Sequence, residues 1–257
     1  MRSESRAEAE AVAAICAERG IEHTVLTVEV GPGNVQASAR EARYAALGRW
    51  ARGAGIAKVA TAHHREDQAE TVLMRLNRGS GVAGLAGIRP YSWRAADGIT
   101  IVRPVLGWSK AELEAIVAAA GIEAARDPSN DLETFDRVRM RKALEHAPWL
   151  NREAIARSAS ALADAEEALE WAARREWDER VEREGDGFGY TPHATREIRL
   201  RILKRSIAEL GGTVRGSAIA DLDRSLMRGE GGTLGGVQFG TRGGLWSIRR
   251  EPPRRTG

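Results

Sequence analysis

The chain has 257 residues, of which 42% are hydrophobic, enough to bury a sizeable core in one large domain or two smaller ones. Its single cysteine, Cys16, excludes both a disulfide framework within the chain and a zinc site built of cysteines. The net charge is only +3; 35 of the 39 basic residues are arginine, an excess that a GC-rich genome also produces and that does not by itself indicate nucleic-acid binding.

The N-terminal segment predicts a polar helix. Residues 3–19 are rich in alanine, begin at a serine and are closed by Gly20. This start is too polar and acidic for a signal peptide. No hydrophobic run in the chain approaches the roughly 20 residues that a membrane helix needs. We therefore expect a cytoplasmic protein that does not bind a membrane.

Helical and strand patterns alternate over the first half of the chain. The patterns predict strands at 23–30, 56–62 (buried) and 99–105, and helices at 36–52, 66–77 and 109–121. The last helix begins with a capping box, S-K-A-E. Alternation at this spacing predicts an α/β fold with right-handed crossovers and a mostly parallel sheet.

The pattern changes after Asp136. Long helical patterns cover 151–182, 195–210 and 216–227, and the last 25 or so residues resemble a small β-hairpin with a basic tail. We predict an α/β domain over 1–146 and a mainly helical domain over 147–257 with a small C-terminal β-hairpin.

One candidate site is the segment T-A-H-H-R-E-D-Q-A-E-T at 61–71. His63 and His64 lie at the carboxyl end of a predicted strand, where α/β sheets bind ligands. Asp67 and Glu70 share one face of the following helix. A zinc-protease site is excluded because it needs two histidines four residues apart. The two carboxylates could cap the helix, bind a Mg²⁺ ion that bridges phosphates, or act as a general base on an amine.

A second candidate site follows the turn D-P-S-N at 127–130. Asp136 begins a predicted helix on which Arg137 and Arg141 are four residues apart and share a face. This face would suit phosphate or an RNA backbone, or would simply be an exposed cationic surface. Upstream, Arg43 in A-R-E-A-R-Y has no evident acidic partner, and the glycine-dense segment 77–87 matches no Walker A motif.

Together these segments resemble one family, the tRNA(Ile)-lysidine synthases, which are PP-loop ATPases. The resemblance rests on A-R-E-A-R-Y, T-A-H-H-R-E-D-Q-A-E-T, R-G-S-G-V-A-G-L-A-G, I-V-R-P-V-L and D-P-S-N…F-D-R-V-R-M-R, in the family's order and at similar spacings. It covers residues 3–145 strongly and the remainder loosely. It implies a partial Rossmann-like sheet followed by a tRNA-binding region.

The resemblance also implies a reaction and its residues. The family adenylates the wobble cytosine of an isoleucine tRNA with ATP, and the ε-amine of free lysine then displaces AMP to form lysidine. Asp67 and Glu70 match the family's essential acidic pair and would be the ligands of any Mg²⁺. Residues that match the family's ligand-binding positions, or that lie beside them, are Arg43, His63, His64, Asn130, Arg137 and Arg141. The expected partners are tRNA(Ile) and free L-lysine, with a homodimer allowed.

One departure from the family concerns the ATP site. The family's phosphate-binding loop, S-G-G-x-D-S, does not occur in these 257 residues. We expect on the order of 50 residues to be missing before Met1, given that a βαβ unit takes about 30 or more. This would reflect a truncated gene or a misassigned start. Because that loop's backbone N–H groups anchor the pyrophosphate, we expect the chain as given to be inactive.

Two other hypotheses stay open. The chain could be another PP-loop enzyme that modifies tRNA, such as a thiolase, although thiolases commonly use cysteines and this chain has only Cys16. It could also be a tRNA-binding remnant without catalytic activity.

Overall fold

The computed structural model describes residues 3–28, 35–124, 136–214 and 217–252. The chain divides into two compact units, Met1–Ala163 and Asp164–Gly257. This division lies within a helix, later in the chain than the predicted boundary at 146/147. The assignment of catalytic and tRNA-binding roles to the two predicted domains stays a prediction.

The first unit is a mixture of helices and short strands. Its elements are α1 (Ser3–Glu18), α2 (Val35–Gly53), β1 (Lys58–Ala60), α3 (Arg65–Asn77), α4 (Val82–Leu85), β2 (Tyr91–Arg94), β3 (Ile99–Val102), α5 (Lys110–Ala119), α6 (Asp136–Glu145) and the start of α7 (Arg152–Arg180). The helices predicted from periodicity are confirmed. At α5, Ser109 Oγ accepts a hydrogen bond from the Glu112 N–H at 3.2 Å, as the capping box predicts.

The sheet of this unit has the strand order β1-β3-β2. β1 and β3 pair in parallel, whereas β2 pairs antiparallel with β3. The α/β class is confirmed, but the sheet is not mostly parallel, because the unpredicted strand β2 returns along β3. Residues 23–28 form no strand in the described part of the chain, although they alternate. Alternation separates apolar from polar side chains onto the two faces of a segment, but a strand also needs backbone hydrogen bonds to a neighbouring strand.

The core of this unit lies between β3 and α2. Ile99 and Ile101 are fully buried and pack with Tyr44 and Ala51 of α2. β1 is less covered than predicted, since Lys58 and Ala60 are exposed and Val59 between them is half-buried. The packing brings the carboxyl ends of the parallel pair next to the start of α3.

The second unit contains the end of α7, then β4 (Val181–Glu184), β5 (Gly187–Tyr190), α8 (Arg196–Glu209), α9 (Ala218–Met227), β6 (Gly232–Leu234), β7 (Val237–Arg242) and β8 (Leu245–Arg250). The predicted helices are present. The predicted C-terminal hairpin is part of a larger antiparallel sheet in the order β4-β5-β8-β7-β6, with Tyr190, Phe239 and Trp246 in its core. No helix in the described ranges is both long and apolar enough to cross a membrane.

Candidate functional site

The site begins where the chain leaves β1 and enters α3. His64 is the N-cap of α3, and its backbone N–H donates to Asp67 Oδ2 at 3.0 Å. This is the reciprocal half of a capping box and satisfies a backbone donor near the helix start. His64 Nδ1 lies 2.9 Å from Glu66 Oε2, and that same oxygen accepts the backbone N–H of Lys110 at 2.9 Å. Asp67 therefore caps the helix, as one of the sequence interpretations proposed.

Asp67 also belongs to a set of four ionised side chains from α3 and α6, which we call the α3–α6 cluster: Asp67, Glu70, Arg137 and Arg141. Arg137 bridges the two carboxylates, with Nη2 donating to Asp67 Oδ1 at 2.6 Å and Nε to Glu70 Oε2 at 2.7 Å. Arg141 Nε donates to Glu70 Oε1 at 2.9 Å. The predicted acidic face and the predicted basic face thus lie against each other.

The cluster explains how Glu70 is buried. Glu70 is only 1% exposed, and a carboxylate is rarely so buried unless it has partners. Two guanidiniums supply charge-assisted hydrogen bonds to its two oxygens. Burial lowers the pKa of Arg141, but the hydrogen bond and charge of Glu70 outweigh it, so that the pKa is raised. Glu70 is therefore enclosed within the protein, whereas the side chains of Arg137 and Arg141 are 38% and 39% exposed.

The sequence did not predict this pairing, since the acidic face and the basic face were considered separately there. Both Glu70 oxygens and Asp67 Oδ1 already accept from guanidiniums. In the described ranges, no three or more His, Cys, Asp or Glu side chains are grouped so that they could hold a metal ion. The two carboxylates alone are not a protein cage for Mg²⁺, and their predicted role as ligands of a Mg²⁺ that also contacts phosphates stays a prediction.

His63 lies beside the cluster as a neutral group. Its Nδ1 is 2.9 Å from Thr61 Oγ1. Burial lowers its pKa to about 4; the charge of Asp67 opposes this shift, and those of nearby arginines, including Arg103, add to it. At neutral pH His63 is an uncharged hydrogen-bonding group.

A cavity of about 850 Å³ adjoins the cluster. We call it the arginine cavity because Arg40, Arg43 and Arg137 line it, and no carboxylate is among its described lining residues. α2 and residues 24–28 supply its apolar wall. Arg40 and Arg43 also lie over the Tyr44 ring, at 5.1 and 5.7 Å from the ring centroid. The structure thus brings Arg43 and Arg137 to one cationic cavity whose volume suits a nucleotide.

Sequence reasoning missed the role of Gln68. Its buried amide donates to Ile88 O at 3.1 Å and accepts from the Ile88 N–H at 2.6 Å. Gly87 has a φ of +65°, and a Cβ there would lie 2.5 Å from Gln68 Oε1. Arg75 donates to the carbonyls of Gly84 and Gly87. The glycine-dense segment, the one available signal, therefore closes a loop against α3. Asn130 and its D-P-S-N turn lie outside the described residues.

Comparison with known proteins identifies the family. Residues 1–147 match the family model of a PP-loop domain. The chain is 44% identical over 260 residues to the tRNA(Ile)-lysidine synthase of Novosphingobium aromaticivorans, covering 100% of this chain and 80% of that protein. It is 39% identical over 262 residues to that of Zymomonas mobilis, covering 99% and 79%. It is also similar to the U34-tRNA thiolase NcsA of Methanococcus maripaludis (16% identity, TM-score 0.48, 60% of this chain and 55% of that one), a likeness that extends to no substrate or cofactor. The chain belongs to the tRNA(Ile)-lysidine synthase family of PP-loop proteins.

Proposed function

We propose that the chain, when it also carries the phosphate-binding loop S-G-G-x-D-S, acts in tRNA modification, joining lysine to the wobble cytidine of isoleucine tRNA through an adenylated cytosine, with ATP as the activating substrate. The observation that carries this proposal is the α3–α6 cluster beside the arginine cavity. The names of the relatives give the product, lysidine in isoleucine tRNA, whereas the adenylated intermediate is what the family resemblance implies, and the geometry supports the roles of individual residues.

The phosphates of ATP and of the adenylated intermediate require positive charge. Arg40, Arg43 and Arg137 provide three guanidiniums in one cavity, and their planar N–H groups suit phosphate oxygens. Arg137 uses Nε and one Nη for the carboxylates. Its remaining N–H groups have no hydrogen-bond partner among the described residues and would suit a phosphate. Stabilisation of this kind, by donors already in place, is a main source of rate in phosphate chemistry.

The attacking amine requires a group that holds it and takes its proton. Asp67 suits this role, because its side chain is 14% exposed and its Oδ2 is not bonded to an arginine. Glu70 is too buried to reach a substrate and acts as a positioning residue that orients Arg137 and Arg141. His63 and His64 lie at the N-terminal end of α3, and their contact with the nucleotide stays a prediction. Asn130 stays a prediction.

Several finer points belong to the proposal. A Mg²⁺ ion would accompany the ATP phosphates and neutralise part of their charge, with the Asp67 and Glu70 carboxylates as its predicted protein ligands. Free L-lysine is the proposed amine donor. A homodimer and a cytoplasmic location stay predictions.

The test is incorporation of labelled lysine into isoleucine tRNA with ATP present. It uses the 257-residue chain and the same chain extended at its N-terminus by a segment carrying S-G-G-x-D-S. We expect incorporation by the extended chain, and a loss of about 100-fold or more for its Asp67→Asn variant, the typical range for a lost proton acceptor. Asp136→Asn, an exposed carboxylate on α6, is the matched control and should retain the rate.

Three results would contradict the proposal. A full rate in the Asp67→Asn variant would remove the proposed role of that residue. Sulfur transfer to tRNA instead of lysine transfer would favour the thiolase hypothesis. Salt-dependent tRNA binding by the extended chain without ATP consumption would favour a binding remnant.

A further inference from the structure

A second cavity, of about 690 Å³, lies in the first unit on another face of α3. Arg65 and Gln68 line it, whereas Asp67 and Glu70 do not. Its other walls are the segment that follows β3, the start of β2 and the first turns of α7. It shares no lining residue with the arginine cavity, and the proposed reaction makes no use of it.

The feature that indicates a ligand is Arg103. It lines the cavity and is only 8% exposed. Its Nη1 donates to Arg89 O at 2.7 Å and to Ser92 Oγ at 3.1 Å, but its buried Nε has no hydrogen-bond partner. Among the ion pairs of the described residues, none involves Arg103. A buried cation without an anionic partner is costly, so an anion supplied by a ligand would complete its surroundings.

The rest of the lining indicates what kind of anion. Arg65 and Arg157 add two guanidiniums, and Glu153, which accepts from Arg157 at 2.6 Å, is the one carboxylate among the described lining residues. With Arg103, the described lining residues carry an excess of two positive charges. Arg65 also lies 3.6 Å from Glu112, which does not line the cavity, so Arg103 is the one of these three arginines that has no ion pair among the described residues. Tyr91, 70% exposed, offers a flat aromatic surface beside these charges. A nucleotide needs guanidiniums for its anionic phosphate and an aromatic surface for its flat base, side by side.

We propose that this cavity is a second nucleotide-binding site, with the phosphate on Arg103, Arg65 and Arg157 and the base against Tyr91. The ligand is either one nucleotide of an RNA strand or a free mononucleotide. The site is independent of the proposed lysine transfer, and its test measures binding alone.

In the test, the chain is titrated separately with UMP, with inorganic phosphate and with an oligouridine of six nucleotides, and calorimetry measures the binding. UMP contains neither the adenine nor the cytosine of the proposed reaction. We expect Tyr91→Ala to weaken UMP binding about fivefold, within the range of base–aromatic stacking. Arg157→Gln should weaken it about threefold. The matched control is Arg175→Gln, because Arg157 and Arg175 both form exposed i,i+4 pairs on α7; it should bind UMP like the parent chain.

Arg103→Met should weaken UMP binding about tenfold, since it removes a charge-assisted contact. If that variant does not fold, as judged by circular dichroism, the Tyr91 and Arg157 variants decide. Tighter, salt-dependent binding of the oligouridine than of UMP would identify RNA as the source, and equal affinities a free mononucleotide. The proposal is overturned if UMP does not bind, if Tyr91→Ala and Arg157→Gln bind it like the parent, or if phosphate binds as tightly as UMP.

Discussion

Glu70→Gln tests the α3–α6 cluster most directly, because it removes one buried charge and almost no volume. Glu70 is 1% exposed and accepts from Arg137 at 2.7 Å and from Arg141 at 2.9 Å. The substituted amide has one oxygen, so it can accept from one guanidinium, and its NH₂ group would face the other donor.

The magnitude follows from these two contacts. Each hydrogen bond to a charged group contributes about 1.5–3 kcal/mol. The two arginine side chains are more than a third exposed, so water restores part of what they lose. We therefore expect the free energy of unfolding of the first unit to fall by about 2–3 kcal/mol. For a unit of this size, that lowers its Tm by roughly 4–12 °C.

Scanning calorimetry would measure the shift, and hydrogen exchange read on peptides from α3 and α6 would show whether the loss is local. The control is Asp136→Asn, whose ion pairs with Arg78 and Arg139 are exposed. Exposed pairs contribute less than about 1 kcal/mol, so its Tm should change by less than about 4 °C. Equal shifts in the two variants, or unchanged exchange in α3, would refute the inferred importance of the buried carboxylate.

Three further predictions concern other parts of the chain. His63 stays neutral in the folded chain down to about pH 4, but in the unfolded chain it is protonated below about pH 6.5. Its contribution to stability is therefore complete above pH 6.5 and is lost as the pH falls towards 4. Between pH 7 and pH 5, urea unfolding should show a smaller loss of stability for His63→Gln than for the parent chain. Gly87→Ala should destabilise the chain by about 2 kcal/mol more than Gly79→Ala, because both positions have a positive φ but only the first has a side chain within 4 Å of the added Cβ; equal unfolding midpoints in urea would contradict this. Asp223→Asn, which removes a buried bidentate partner of an arginine, should destabilise the second unit by about 3 kcal/mol, whereas the exposed Asp221→Asn should change it by less than about 1 kcal/mol, as measured by calorimetry.

Much of the candidate site could be predicted from local patterns. The spacing of Asp67 and Glu70 placed both carboxylates on one face of α3, and that of Arg137 and Arg141 did the same for α6. Both predictions follow from the helical repeat, which depends on a few neighbouring residues. The capping of α3 and α5 has the same basis, since a cap is a contact within one turn.

The sequence could not show that these two faces meet. The pairs in the α3–α6 cluster join residues about 70 positions apart, and either face alone could have been open to solvent. Their contact converts Glu70 from a candidate catalytic group into a buried one. Arg103 is a similar case, because the proline that follows it predicts a strand end and says nothing of a cavity.

The helices, their caps and the family membership could be predicted from the sequence, because helical periodicity and capping residues involve near neighbours in the chain and the family motifs follow one another in order. The antiparallel return of β2, the five-stranded sheet of the second unit and the two arginine-lined cavities were decided only by tertiary structure. Strand partners and ion-pair partners depend on which distant segments lie together in the packed core. A buried charge therefore has its partner only once the chain has folded.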